Sequence, residues 1–286
     1  MVRFSAMTSP IESGGPTPAG RRDGYVIVIP NRKRQPPARR HMPSQTPLNS
    51  LSLPPGFNLV TLREVGDAFA HARAHAAELG AGTLVYVGRF DLAEFAVVLE
   101  PDEPLRTARR AFYAGLAAMA DTLAAHAPPE KAIQFKWPGS IEIDRGLVGG
   151  GQLGWADAPE DEPPPWLVFG GMVRTVSMAE GEPGLRPLSA ALEDEGFDDA
   201  GAGHLVESFA RHLMVQVDGW REHGFKAVAR EYLTRLVPEQ GVSRSIDDNG
   251  DLLVRRAGKT DIERHKLIPA LQAPPAWLDP ATGGPR

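Results

Sequence analysis

Cysteine is absent from all 286 residues. That excludes disulfides, thiolate metal sites and every mechanism built on a cysteine nucleophile, including acyl transfer through an enzyme thioester. Long hydrophobic runs are missing too. Spanning a bilayer takes ~18 or more consecutive apolar residues, and a leading candidate, Ala93 to Leu99, is strand-sized and contains Glu94. No charged-then-apolar leader with a small-residue cleavage site is visible, so a cytoplasmic protein without a membrane partner is expected. There is no internal repeat, no P-loop pattern and no G-x-S-x-G elbow, and nothing raises the case for a hydrolase triad.

Charge is unevenly spread over the net −5. Residues 1–41 hold eight Lys/Arg against two acids (Glu12 and Asp23), a net of +6 that leaves −11 on the remainder. An acidic body argues against nucleic acid as the main partner. Residues 1–50, rich in Gly, Pro, Ser and Arg, read as a disordered basic arm in which only Tyr25 to Ile29 has strand character. Met42 offers an alternative start.

Order is expected from about Leu53. Thr61 to Leu79 reads as a helix with a capping-box pattern at Thr61 and Glu64 and a stop at Gly80. Thr83 to Val87 and Phe95 to Glu100 read as strands joined by Gly88-Arg89-Phe90-Asp91. Phe112, Leu116, Met119 and Leu123 form one apolar stripe along a helix over Pro104 to Ala127. Strands are expected at Ala132 to Trp137, Ile141 to Ile143, Leu147 to Leu153 and Trp166 to Val173, with an acidic Pro-rich loop at Asp157 to Pro165 before the last. Helices are expected at Gly203 to Glu222 and Phe225 to Leu236. From Ser243 the texture is β-like around a turn at Asp247-Asp248-Asn249-Gly250. The fold class is α+β: a mixed, largely antiparallel sheet flanked by helices, with a small C-terminal β-rich appendage. The domains predicted are 1–50, 51–240 and 241–286.

Gly149 to Gly154 matches G-x-G-x-x-G by letters, but it leads into Trp155 and a loop rather than opening a helix, so a dinucleotide fold is not indicated. His71 and His75 have metal-ligand spacing without a completing Glu, and the acidic run Glu193, Asp194, Glu195, Asp198, Asp199 lacks the alternation of a calcium loop. No metal site is expected from them. The informative stretch runs from Gln134 to Gly151. Lys136 offers a cation at a strand end, Trp137 an apolar wall, and Gly149, Gly150 and Gly151 a surface that a flat apolar acid could approach closely. The same residues also suit a core tryptophan and hairpin kinks.

Lys136-Trp137-Pro138, followed by Leu147-Val148-Gly149-Gly150, resembles the K-W-P-N-D and K-x-x-G-I-L signature of the biotin–protein ligases. Trp166 to Val173 is similar to the family's G-I-G-I-N strand, and Trp220 to Phe225, with Tyr232 beyond, to its W-x-x-x-G-F helix. The four segments agree in order and spacing over Leu53 to Leu236. Residues 243–280 resemble a small C-terminal domain that accompanies a bacterial subgroup. The resemblance implies binding of biotin, lipoate or octanoate. It also implies activation of the acid by ATP with Mg2+, and transfer from the adenylate to a lysine of a biotinyl/lipoyl or acyl-carrier domain protein. It places Lys136 and Arg145 as catalytic, and Arg89, Trp137, Gly139, Ser140, Gly149, Gly150, Gly151, Gly170, Gly171 and Arg174 around the substrate.

The departures fall on the chemistry. The family's Arg/Gly-rich loop shrinks here to Gly88–Asp91. The Asn-Asp pair is Gly139-Ser140, the second lysine is Gly146 beside Arg145, and the closing Asn falls near Arg174. Losing a cation where charge develops costs roughly 10²–10³ in rate, so a catalytically inactive binding or interaction module is the alternative. Acyl transfer from a pre-activated donor is a third.

Overall fold

The computed structural model describes residues 2–3, 51–178, 189–197 and 201–286. Apart from Val2 and Arg3, the basic arm lies outside the described residues, as do the strand expected at Tyr25–Ile29 and the acids Asp198 and Asp199.

Eight strands form one sheet: β1 (Val2–Arg3), β2 (Asn58–Leu62), β3 (Thr83–Val87), β4 (Leu92–Pro101), β5 (Ile133–Lys136), β6 (Ser140–Ile143), β7 (Gly146–Trp155) and β8 (Leu167–Arg174). Their order is β2-β3-β4-β8-β7-β6-β5, with β1 beside the end of β4. Only β2 and β3 run parallel, joined by helix α1 (Ala68–Leu79); all other pairs are antiparallel. The mixed, largely antiparallel sheet expected from the sequence is therefore present.

Period-two alternation divides β4 between two layers. Ala96 and Val98 join Val85, Val87 and Val168 beneath Ala68, Ala72 and Ala76 of α1. Phe95, Val97 and Leu99 face the larger core. That core is closed by α3 (Ala111–His126), α4 (Ala202–His223) and α5 (Phe225–Arg235), which follow the short helix α2 (Leu105–Ala108). Burial extends round most of α3, beyond the stripe the sequence shows, because α3 packs on the sheet and is also flanked by α4 and α5.

Two elements differ from expectation. Thr61 does not cap a helix: it pairs with Tyr86 in the β2–β3 ladder, and Asp67 caps α1 by accepting the Ala70 N–H at 2.8 Å. The helix expected over Pro104 to Ala127 breaks at Arg109–Arg110. Each of these arginines is held by a carboxylate, Arg109 by the distant Glu160 and Arg110 by the nearby Glu103.

Beyond α5, strands β9 (Val242–Ile246), β10 (Leu252–Arg256) and β11 (Ile262–His265) form an antiparallel sheet, followed by α6 (Leu267–Gln272). The expected turn is stabilised by Asp247, whose carboxylate accepts the N–H groups of Asn249 and Asp251, with Gly250 at φ 85°. Leu252, Val254 and Leu267 belong to the main core, and the Tyr113 hydroxyl donates to the Gly250 carbonyl at 2.6 Å. Past the end of α5, the Val237 N–H bonds the Phe135 carbonyl at 3.0 Å, so the chain runs along β5 at the sheet's end.

Candidate functional site

The registers place five residues in one row across the α1 face of the sheet: Glu94 on β4, Met172 on β8, Gly150 on β7, Ser140 on β6 and Lys136 on β5. Directly paired residues share a face, and four interstrand spacings make the row about 19 Å long. Leu92 and Arg174 stand opposite each other next to the row. Of the helices, α1 meets the row at Glu94 and α6 lies near β7, and a segment beyond α6 packs on its middle. Trp277 packs with Leu92 and Met172, with Leu147 and Leu278 at the margin. Its indole N–H donates to the Gly151 carbonyl at 3.2 Å.

The candidate cations are held by internal partners. Lys136 Nζ lies 2.5 Å from Oε1 of Glu142, a buried carboxylate on the same face of β6. Arg89 makes a two-pronged pair with Asp91 at 2.7 and 3.0 Å, and its guanidinium holds the Asp91 carboxyl below the usual range. Arg174 donates to the Ser189 hydroxyl and to the Ala190 and Pro285 carbonyls. Arg145 sits at φ 75° in the exposed turn between β6 and β7, at the far end of β6 from Lys136. Among the described residues, no group of three or more His, Asp or Glu could hold a metal ion, and His71 and His75 lie on an open face of α1.

Glu94 sets a buried carboxylate against the start of α1. Its Oε1 accepts the Ala68 N–H at 2.9 Å, and burial raises its pKa above the ordinary 4.5. A carboxyl raised in the fold binds protons more tightly there than in the unfolded chain, so stability falls as pH rises through the folded value. Glu94→Gln keeps the acceptor and removes the charge. It should melt higher than wild type at pH 7, with the gap closing as pH falls towards 4.5; thermal unfolding at the two pH values checks this.

Lys136, Ser140, Gly150 and Arg174 thus share one face. Gly170, which pairs with Ala96, is on that face too, beneath α1, and the other sequence-predicted residues lie elsewhere. Trp137, after a cis peptide to Pro138, packs with the main core and against His265 of the appendage at 5.5 Å. A β-carbon at Gly139 would meet Phe112 at 2.8 Å, one at Gly170 would meet Phe69 at 2.6 Å, and one at Gly171 would meet Phe95 at 2.5 Å. Gly149 faces the neighbouring backbone and Gly151 the Leu116–Phe169 core. At Gly146, where the resemblance places the second lysine, a β-carbon would lie 2.7 Å from that of Ala190. Sequence reasoning missed Glu142, Glu94, Met172 and Trp277. The alternation Ser140-Ile141-Glu142-Ile143 carried a signal for Glu142, since the two isoleucines must share the core face.

A helix-flanked sheet of this order, with K-W-P closing one strand and a glycine-rich strand two positions away in the sheet, defines a biotin-ligase-type domain. Residues 53–234 match the Biotin/lipoate A/B protein ligase family, and the chain belongs to that family. Among solved structures, it is similar to a biotin protein ligase-like protein of unknown function from Silicibacter sp. TM1040. The two are 26% identical with a TM-score of 0.67, over 78% of this chain and 100% of that one. The apo biotin protein ligase of Aquifex aeolicus shares the fold at 14% identity and TM-score 0.55, covering 73% and 99%. The same enzyme with biotin and ATP gives TM-score 0.52 at 14% identity, covering 73% and 99%. No curated protein matches the chain. No helix among the described residues is long and apolar enough to cross a membrane.

Proposed function

We propose that this chain binds a small apolar carboxylic acid of the biotin, lipoate or octanoate type on the Lys136–Gly150 part of the sheet, and does not adenylate it. The observation that carries this reading is the packing at Gly146. The space a second lysine would need is filled by Ala190, whose N–H is bonded to the Leu147 carbonyl at 2.9 Å. Adenylation builds negative charge at the α-phosphate and the attacked carboxylate, and uncommitted cations must already point there. Here Lys136 is compensated by Glu142 and Arg89 by Asp91, and the loop that would shield an adenylate from water is the four-residue turn Gly88–Asp91. ATP with Mg2+ therefore fits these residues poorly, while a single carboxylate asks less: the Lys136 side chain is 59% exposed beside its Glu142 pair, and an ammonium carries three donors.

The test is acid-dependent ATP–pyrophosphate exchange with biotin, lipoate and octanoate, alongside calorimetric binding without ATP. The expected result is binding of one acid, no exchange, and about tenfold weaker binding by Lys136→Ala, a loss of about 1.4 kcal/mol. Exchange with any acid would return the chain to full ligase chemistry and a carrier-domain lysine as acceptor. Unchanged binding by Lys136→Ala would move the acid elsewhere. Restoring the family residue should not help. Gly146→Lys is expected to cost roughly 1–3 kcal/mol by overpacking against Ala190, measured by chemical unfolding, and to leave exchange at background.

A further inference from the structure

The segment after α6 folds into a compact hook. The Asp279 N–H bonds the Gly284 carbonyl, and the Gly283 N–H bonds the Asp279 carbonyl, each at 2.8 Å. The Asp279 carboxylate accepts the Ala281 N–H and the Thr282 hydroxyl. The Arg286 N–H returns to the Trp277 carbonyl at 2.8 Å, and Leu278 bridges to Pro285. The hook is thus held largely by its own bonds and joins α6 through Ala273-Pro274-Pro275.

Its contacts with the body fall on the candidate site. The indole of Trp277 is 2% exposed and sets its Cδ1–Nε1 edge so close to Gly150 that a β-carbon there would come within 2.5 Å of Nε1, as it would of the Gly139 carbonyl oxygen. Trp277 also packs on Leu92 and Met172, and the Gly151 carbonyl takes its N–H. The Pro285 carbonyl occupies the guanidinium of Arg174. The ring thus covers the glycine shelf on which the apolar body of an acid held at Lys136 would lie, and the Pro285 bond to Arg174 anchors the hook beside it.

We infer that the hook, residues 274–286, is a reversible plug: Trp277 occupies the acid's place, and the hook swings out from the end of α6 at Ala273, with Pro274-Pro275 as its stiff arm, to admit the ligand. What the plug excludes rests on the acid-binding reading above; that it opens does not. A site closed most of the time binds with apparent affinity reduced by the open fraction, so removing the indole raises affinity by the inverse of that fraction.

The absence of cysteine makes the test clean, because Met172→Cys in the full chain introduces a single thiol directly beneath Trp277. The thiol should react with iodoacetamide well above the global unfolding rate, and the added change Trp277→Ala should speed labelling at least tenfold, with β7 and β8 amides still protected from hydrogen exchange. Labelling only at the unfolding rate, or labelling unaffected by Trp277→Ala, overturns the plug. With Met172 intact, Trp277→Ala should bind biotin, lipoate or octanoate at least tenfold more tightly than wild type. Weaker binding would make the indole a wall of the site and overturn the proposal. If neither protein binds any of these acids while the labelling result holds, the plug stands and the acid-binding reading has failed.

Discussion

Phe169→Ala is expected to destabilise the protein by roughly 3–5 kcal/mol, the range for deleting a buried phenylalanine. Phe169 is fully buried at the centre of β8 and stacks on Phe209 of α4 with ring centroids 5.9 Å apart. Two glycines make room for it. A β-carbon at Gly115 of α3 would lie 2.6 Å from Phe169 Cζ, and one at Gly151 of β7 would lie 2.9 Å from the same atom. The ring therefore joins three elements, and its loss leaves a cavity that a sheet and two helices cannot collapse to fill. A second variant separates this from a general loss of hydrophobic area. Gly115→Ala should cost about 1–3 kcal/mol in wild type through overpacking and close to nothing in the Phe169→Ala background, where the methyl has space. Urea unfolding of the four proteins measures the coupling, and additive costs would place the two side chains out of contact.

Gly149→Ala should be at least as damaging, costing roughly 3 kcal/mol or more, at the upper end of overpacking. The added methyl would overlap the Met172 carbonyl and stand 2.9 Å from Val173 Cα. Those atoms are strand backbone, held in the β7–β8 ladder where Gly149 pairs with Val173. A side chain could rotate away, but a ladder can only separate. We expect a lower melting temperature together with faster amide exchange across β7 and β8. A melting temperature within a degree or two of wild type would show that the strands have slack there.

These glycines show how far the sequence could be read. Gly149, Gly150 and Gly151 stood out as a surface a ligand could approach. In the fold Gly149 meets the Met172–Val173 backbone, Gly150 the Gly139 carbonyl and the indole of Trp277, and Gly151 the Leu116–Phe169 core. Composition marks such positions as needing no side chain but cannot name what comes close, because each neighbour is far away in the chain. The same holds for α1. Thr61 and Glu64 fit a capping box locally, yet parallel pairing with β3 takes Thr61 into a strand, and the cap passes to Asp67. Strand β3 was legible to the residue, as a β-branched run fully buried on both faces. The Lys136 half of the site was legible through K-W-P, and Glu142 through the alternation around it. Residues 241–286 were set apart as a C-terminal unit, but nothing in their letters told that Trp277 returns to β7 across 126 residues of chain.

The bond from the Val237 N–H to the Phe135 carbonyl has a consequence for self-association. A sheet ending in unpaired backbone groups invites a strand from another molecule, and a cover of the chain's own backbone removes that template. With β5 occupied by residues 236–237, lateral growth by strand addition is blocked on that side. Among the described residues the uncovered margin is β2, five residues long, whose length limits an added strand to a few hydrogen bonds. Among the described residues, a dimer that extends the eight-stranded sheet by strand addition would form there.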